Sequence, residues 1–219
     1  MSSRYPALLS RLQRPVAIAL LGGALMSSLS GCVGLVVGGA VAGTMAASDR
    51  RTFGAQTEDK AIAVKADVRL RNILDDTGHV NVNAFNRKVL ITGEVPNQAK
   101  KEAVEREVKA IEGVQSVVNE LAISGPTSYT SRSNDTLITT KVKASLVDAK
   151  DISANSFKVV TERGEVYLMG RVTQFEANRA TEIARGVSGV TKVVRVFEYI
   201  SEEEYKQFQN TPAPAQASN

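Results

Sequence analysis

The chain of 219 residues contains one sequence unit twice. Residues from about Asp59 to Ile123 match those from Asp135 to Tyr199 at a shift of 76 or 77 positions. Apolar residues and glycines agree in both order and spacing, as Val89, Ile91, Gly93 and Val95 do with Val166, Leu168, Gly170 and Val172. Self-similarity over so long a span indicates two domains of one kind.

Each copy opens with a predicted helix and holds a second one further along. The opening helix carries apolar residues at every fourth position, and we expect it to begin at a polar cap, Asp59 in the first copy and Asn134-Asp135 in the second. The second helix is expected to end at a C-cap glycine, Gly113 or Gly189.

Between these helices the residues alternate as they do in β-strands. Short turns at Asn86-Arg87 and Arg163-Gly164 join two strands in each copy, and Gly93 and Gly170 predict a close approach of a helix or a bulge. A last strand completes the unit. The sequence therefore predicts an α+β fold of two tandem α-β-β-α-β domains, each with two helices on one face of a small mixed three-stranded sheet.

The first 31 residues have the layout of an export signal. Three arginines and no acidic residue come first, an apolar run from Val16 to Met26 follows, and Leu29-Ser30-Gly31 precedes the chain's single cysteine, Cys32. Leu-Ser-Gly-Cys resembles the lipobox of bacterial lipoproteins, which implies a cleaved signal peptide and a Cys32 that carries covalent lipid, including palmitate. A fortuitous cysteine behind an uncleaved helix is the alternative that the sequence leaves open.

Composition marks the remaining boundaries. Residues 32–56 are rich in glycine and small side chains, which predicts a membrane-proximal tether. The two domains are predicted at 57–124 and 132–200, with a polar linker at 125–131 between them. A mostly disordered tail is predicted at 201–219.

The charge of the chain does not favour a nucleic-acid partner. Of the formal net charge of +4, the three arginines of the signal account for all but +1. Aromatic residues make up 5% of the chain, too few for a platform on which bases stack. We therefore expect no nucleic acid among the partners.

Residues for catalysis or metal binding are scarce. One His and one Cys exclude a His/Cys metal cluster and a nucleophilic pair assembled from several such residues. His79 follows Asp75-Asp76, which would suit acid/base chemistry, but the second copy has Ser156 at that position. We expect no enzyme, no catalytic residue, no metal and no cofactor besides the covalent lipid at Cys32. A weak envelope enzyme is left open, although no sequence feature favours it.

Two segments carry a resemblance to a known family. Val-Leu-Ile-Thr-Gly-Glu-Val at 89–95 and Val-Tyr-Leu-Met-Gly-Arg-Val at 166–172 are each followed by a helix and a Gly-Val-x-x-Val-Val strand. They resemble the BON domain of bacterial envelope proteins, and with the lipobox the chain resembles the dual-BON outer-membrane lipoproteins. The resemblance implies a non-catalytic protein, lipid-anchored at the periplasmic face of the outer membrane, that supports the integrity of this membrane.

The resemblance also implies a ligand, an anionic phospholipid such as phosphatidylglycerol, bound chiefly by the first helix of the second domain. The distribution of charge agrees with an anionic ligand on the second domain, because residues 57–124 carry a net charge of −1 and residues 132–200 a net charge of +3. This helix has an apolar face besides the one that suits the core, with lysines beside it. The predicted phospholipid-binding residues are Leu137, Thr140, Lys141, Lys143, Ala144 and Val147.

Two alternatives compete with a lipid surface. The first domain's helix has a similar second face in Ala61, Val64 and Val68, so both faces could instead pack the two domains together. Alternatively, the chain could be a periplasmic adaptor that binds another envelope protein, such as the machinery that assembles outer-membrane barrels, with lipid contact incidental.

Overall fold

A computed structural model describes residues 49–74 and 78–210 of the chain. The predicted signal peptide, Cys32 and most of the predicted tether lie outside the described residues, and so does the end of the predicted tail. None of the helices in the described ranges is long and apolar enough to cross a membrane.

The first domain has the predicted order of elements, with its last strand in two pieces. Strand β1 pairs antiparallel with β2, and the short strands β3 and β4 both pair parallel with β2. Its elements are helix α1 (Phe53–Leu74), strands β1 (His79–Phe85) and β2 (Lys88–Val95), helix α2 (Gln98–Lys109), and strands β3 (Ser116–Asn119) and β4 (Ala122–Ile123).

The second domain repeats this order with an unbroken last strand. Strand β5 pairs antiparallel with β6, which pairs parallel with β7 along eight residues. Its elements are helix α3 (Tyr129–Asp148), strands β5 (Phe157–Glu162) and β6 (Glu165–Val172), helix α4 (Gln174–Arg185) and strand β7 (Lys192–Tyr199). The predicted α+β class is confirmed, and the first sheet has four strands where three were predicted.

The opening helices begin six residues earlier than predicted. Helix α1 begins at Phe53, inside the predicted tether, and α3 begins at Tyr129, inside the predicted linker. Ser128 caps α3 because its hydroxyl accepts the backbone N–H of Ser131 at 3.2 Å. A further helix, α5 (Glu202–Asn210), occupies the first half of the segment predicted to be mostly disordered.

The prediction that Asp59 and Asp135 cap these helices is wrong. Both carboxylates are buried in mid-helix and accept backbone N–H groups of the hairpin turn in their own domain. Asp59 binds the N–H groups of Asn86 and Arg87 at 2.7 and 2.8 Å. Turn residues with positive φ point both N–H groups inward, where they need an acceptor. Asp135 holds the turn at Arg163-Gly164 in the same way, with both contacts at 2.8 Å.

The second helices also end earlier than predicted. Their C-cap residues are Ala110 and Gly186, three positions before the predicted Gly113 and Gly189. Both glycines do adopt positive φ, 91° and 97°, in the turn that leads into the last strand.

Gly93 and Gly170 admit the backbone of a neighbouring segment. A Cβ atom on Gly93 would lie 2.0 Å from the carbonyl oxygen of His79, and one on Gly170 would lie 2.4 Å from that of Ser156. The close approach thus comes from the chain that begins the adjacent strand, whereas a helix was one of the two expectations.

The two sheets pack against each other, and the helices lie on the outside. Each domain has its own core between sheet and helices, and a third apolar cluster joins the sheets. This cluster consists of Phe85, Leu90, Tyr167, Met169 and Val196. Interdomain packing therefore uses the sheet faces, and the expectation that the second faces of α1 and α3 pack the domains together is wrong.

Two adjacent arginines bind one domain each. Arg50 forms an ion pair with Glu176 of α4 at 2.6 Å, and both side chains are buried, at 7% and 3% exposure. Arg51 pairs with Asp59 of α1 at 2.8 Å, and its guanidinium lies 4.0 Å from the ring centroid of Phe85. The segment before α1 is thereby fixed to both domains.

Candidate functional site

Helix α3 presents an exposed face on the side opposite its core residues. Ile138, Val142 and Leu146 are buried in the core of the second domain. We define the outer face of α3 as the exposed residues Leu137, Thr140, Lys141, Ala144 and Val147. Leu137 and Val147 are 59% and 68% exposed and lie on one face with Ala144, and apolar side chains grouped in this way mark interaction surfaces.

Lys143 lies apart from the other predicted phospholipid-binding residues. At 3.6 residues per turn it is about 120° around the helix from Leu137. It lines a cleft between the two domains together with residues of α1 and β5. The structure therefore brings five of the six predicted residues together and separates the sixth.

The hydroxyl groups along this face are already hydrogen-bonded. Thr140 donates to the carbonyl of Thr136 at 2.9 Å, and Thr136 donates to that of Arg132 at 3.0 Å. Ser133 bonds the carbonyl of Tyr129 in the same way. Because these hydroxyls have protein partners, contact with an apolar layer would cost less than it would for free hydroxyls.

Tyr129 is an exposed aromatic residue that sequence analysis missed. It begins α3, is 86% exposed, and its ring stacks with the Arg132 guanidinium at 5.6 Å. At 100° per residue it lies on the same side of the helix as Val147. The prediction assigned Tyr129 to the linker; the cap formed by Ser128 and Ser131 is the signal that would have placed it in the helix.

Charge on the outer face is limited to its edge. Lys141 is exposed and forms no ion pair within the described residues, so its ammonium is available to an anion. Asp148 closes the helix at its last position and is also exposed. The face thus combines three exposed apolar side chains with one free cation.

Helix α1 has a comparable exposed face with different chemistry. Val64 and Val68 are 63% and 58% exposed, Ala61 is exposed beside them, and Phe53 is 85% exposed at the start of the helix. Lys60 and Asp67 lie along the same side. Each domain therefore leaves an apolar helical face free of the interdomain contact.

A carboxylate at the interdomain contact has an altered pKa. Burial raises the pKa of Glu162, and the nearby carboxylates Glu94 and Asp135 add to this effect. The amide of Asn81 in the other domain opposes it by donating to the Glu162 carboxylate at 2.9 Å.

His79, which is not expected to act in acid/base chemistry, contacts the side chain of Asn81. Its ring Nε2 lies 3.1 Å from the Asn81 amide nitrogen, and the side chain is half-buried. Asp75 and Asp76 lie outside the described residues. Across residues 49–74 and 78–210, no three His, Cys, Asp or Glu side chains are grouped so that they could hold a metal ion.

A family comparison agrees with this architecture. The model of the BON domain matches residues 60–125 and again residues 134–201. The chain belongs to the BON domain family. The resemblance inferred from the strands at 89–95 and 166–172 is thereby confirmed.

Curated relatives extend the comparison over most of the chain. The outer membrane lipoprotein DolP of Haemophilus influenzae is 39% identical over 174 residues, which cover 78% of this chain and 90% of that protein. The 21 kDa hemolysin of Actinobacillus pleuropneumoniae is 33% identical, with 69% of this chain and 79% of that protein covered. The osmotically-inducible protein Y of Escherichia coli is 31% identical, with 69% and 78% covered.

These relatives also agree with the predicted location. The chain is a DolP-like dual-BON lipoprotein, held at the outer membrane by a lipid anchor. Cys32 as the lipidated residue stays a prediction.

Proposed function

We propose that this chain is a non-catalytic envelope protein whose second domain binds anionic phospholipid through the outer face of α3, and thereby supports outer-membrane integrity. The observation that carries the proposal is the exposure of Leu137 and Val147. Because the two domains pack through their sheets, this apolar face has no partner within the described part of the chain.

The energetics of such contact are favourable for a protein already held at a membrane. Full burial of a leucine side chain contributes ~2 kcal/mol. A lysine close to an anionic leaflet contributes ~1 kcal/mol, less at high salt. Each term is small, but a lipid anchor raises the local concentration of the membrane surface, so weak contacts suffice. Tyr129 suits the boundary between headgroups and acyl chains, since its ring is apolar and its hydroxyl polar.

Flotation with vesicles tests the proposal. Residues 49–219 lack the signal, Cys32 and the uncharged apolar segment that follows it, so any binding comes from the folded domains and not from an acyl chain. We expect flotation with phosphatidylglycerol vesicles and much less with phosphatidylcholine vesicles, and we expect added salt to weaken it.

A matched pair of variants locates the contact. Leu137→Glu places a charge on the outer face of α3 and should reduce flotation at least ~tenfold. Val64→Glu makes the same kind of change on α1 and should leave flotation unchanged. Equal losses in both variants, or no loss in Leu137→Glu, would remove the outer face of α3 from the proposal.

The lipid anchor has its own test. We propose Cys32 as the acylated residue on the strength of the lipobox. Cells that express the chain should incorporate labelled palmitate into it, and Cys32→Ala should abolish the label. Persistence of the label in Cys32→Ala would overturn the assignment of the residue.

A second candidate function, that of an envelope adaptor, is favoured by the exposed face of α1. Val64, Val68 and Phe53 form an apolar surface, and the first domain as a whole carries a net charge of −1 over residues 57–124. Such a surface suits another protein better than an anionic membrane. Val68→Glu should then impair resistance of cells to detergents while vesicle flotation stays normal. A variant with normal resistance would count against the adaptor.

A further inference from the structure

A cleft of about 330 Å³ lies at the junction of the two domains, away from the outer face of α3. The first domain contributes residues of α1 and the end of β1, and the second contributes residues of α3 and β5. The side chains that matter for its chemistry are Lys60, Phe85, Lys143, Phe157, Lys158 and Val159.

Three lysines reach this cleft from three different elements. Lys60 on α1 and Lys143 on α3 are exposed and form no ion pair within the described residues. Lys158 on β5 is half-buried and donates to the backbone carbonyl of Ala84 in the other domain at 3.3 Å. A neutral carbonyl does not balance its charge, so none of the three ammonium groups forms an ion pair with a residue of 49–74 or 78–210.

Asp59, the acidic residue that lines the cleft, already has hydrogen-bond and ion-pair partners within the protein. Asp59 accepts the N–H groups of Asn86 and Arg87 and an ion pair from Arg51, all within 2.8 Å. Arg51 is shared further with Asp49. Arg51, Asp49 and Asp59 together carry a net charge of −1, so the three lysines of the cleft leave an excess positive charge of +2.

The lowered pKa of Lys158 also indicates excess positive charge in the cleft. Burial lowers the pKa of its ammonium, and repulsion from Arg51 and Lys143 lowers it further, while Asp59 partly offsets both effects. An anion in the cleft would relieve this repulsion.

The apolar side of the cleft narrows the class of ligand. Phe85, Phe157 and Val159 line the cleft beside the lysines with 5–8% of each residue's surface exposed. Lysines that line one cleft from three elements suit a tetrahedral oxyanion, because such a group offers acceptors on several sides. Carbon surface next to them suits an organic body attached to that oxyanion.

We propose that the interdomain cleft is a binding site for a phosphate ester, held by Lys60, Lys143 and Lys158 with its organic part against Phe85 and Phe157. The ester comes either from a phospholipid headgroup or from a soluble molecule. The site is separate from the outer face of α3 and does not depend on the proposed function of that face.

Calorimetric titration tests the proposal with the acylated chain in an uncharged detergent and sn-glycerol 3-phosphate as the probe. We expect saturable binding with one site per chain. Lys60→Met and Lys143→Met keep the aliphatic stem and should each weaken binding ~fivefold or more, since each removes one charged contact.

Neighbouring lysines provide matched controls. Lys65→Met on α1 and Lys150→Met just after α3 remove the same charge from exposed positions outside the cleft and should change the dissociation constant less than ~twofold. No saturable binding, or equal losses in the cleft and control variants, would overturn the proposal.

Competition then identifies the source of the ester. If phosphatidylglycerol added to the detergent micelles displaces glycerol phosphate, the natural ligand is a lipid headgroup; without displacement it is a soluble ester. Both outcomes support the shared chemistry. Leu137→Glu separates this site from the proposed membrane surface, because it should impair flotation and leave glycerol phosphate binding intact.

Discussion

The two domains share a framework and differ in the surfaces they expose. In both, a buried aspartate joins the opening helix to the hairpin turn, and a glycine admits the neighbouring strand. Their outer helical faces differ: α1 exposes valines on a domain with net negative charge, and α3 exposes Leu137 and Lys141 on a domain with net positive charge. A duplicated fold thus keeps its internal contacts while each copy can bind a different partner.

The largest expected effect on the free energy of unfolding comes from removing the buried aspartate that both domains share. Asp135→Ala leaves two inward N–H groups without an acceptor and should lower the free energy of unfolding by ~4 kcal/mol. Asp59→Ala should cost more, because it also removes a partner of Arg51. Urea unfolding of residues 33–219 measures both. Losses below ~1 kcal/mol would show that the aspartates do not hold the turns.

Adjacent residues of β6 compare the domain core with the contact between domains. Leu168→Ala opens a cavity in the second domain's core, and Met169→Ala opens one between the sheets; both side chains are fully buried. Each should cost ~3 kcal/mol. Met169→Ala alone should split unfolding into two transitions, detectable by calorimetry. A single sharp transition in Met169→Ala would mean that other contacts couple the domains.

An aromatic substitution sharpens the comparison of the helical faces. Leu137→Trp enlarges the exposed apolar surface of α3 with a residue that favours membrane interfaces. Flotation with phosphatidylglycerol vesicles should strengthen ~threefold. Val64→Trp, the equivalent change on α1, should have no effect on flotation. Equal gains in flotation for both variants would indicate non-specific hydrophobic binding and not a specific membrane-binding face.

The smallest expected effect concerns Glu162, which occupies the position of Phe85 in the other copy. Because burial raises its pKa above the ordinary value of 4.5, the ionised carboxylate weakens the fold at neutral pH. This cost disappears as the pH falls below the ordinary value. Glu162→Gln should therefore stabilise the protein slightly at pH 7 and not at pH 4, as urea unfolding at both pH values would show. Destabilisation at pH 7 would mean that the charge itself holds Asn81.

Local patterns predicted the order of elements well. Apolar alternation and turn residues act over a few positions, so the strands and the turns at Asn86-Arg87 and Arg163-Gly164 were found. The predicted helix starts are wrong because Asp59 is not a local cap: the backbone N–H groups that it accepts lie 27 and 28 positions away. A recurring aspartate with no local partner is a signal for such a contact.

The contact between the domains was hidden for a different reason. The apolar runs around Leu90 and Met169 fill both faces of their strands, which is typical of strands buried on both sides. The sequence alone therefore carries a signal for this contact. The position of Lys143 in the cleft, in contrast, follows only from the placement of one domain against the other.

The arginine pair at the start of the described chain has a mechanical consequence. Arg50 binds the second domain and Arg51 binds the first. A force applied from the amino-terminal side therefore acts between the two domains and is transmitted to both. If Cys32 carries the lipid, the segment of 17 residues from Cys32 to Asp49 spans at most roughly 60 Å. Neither domain is then farther along the chain from the lipid anchor than the other. Each domain can contact the bilayer in turn, and the connecting segment favours neither.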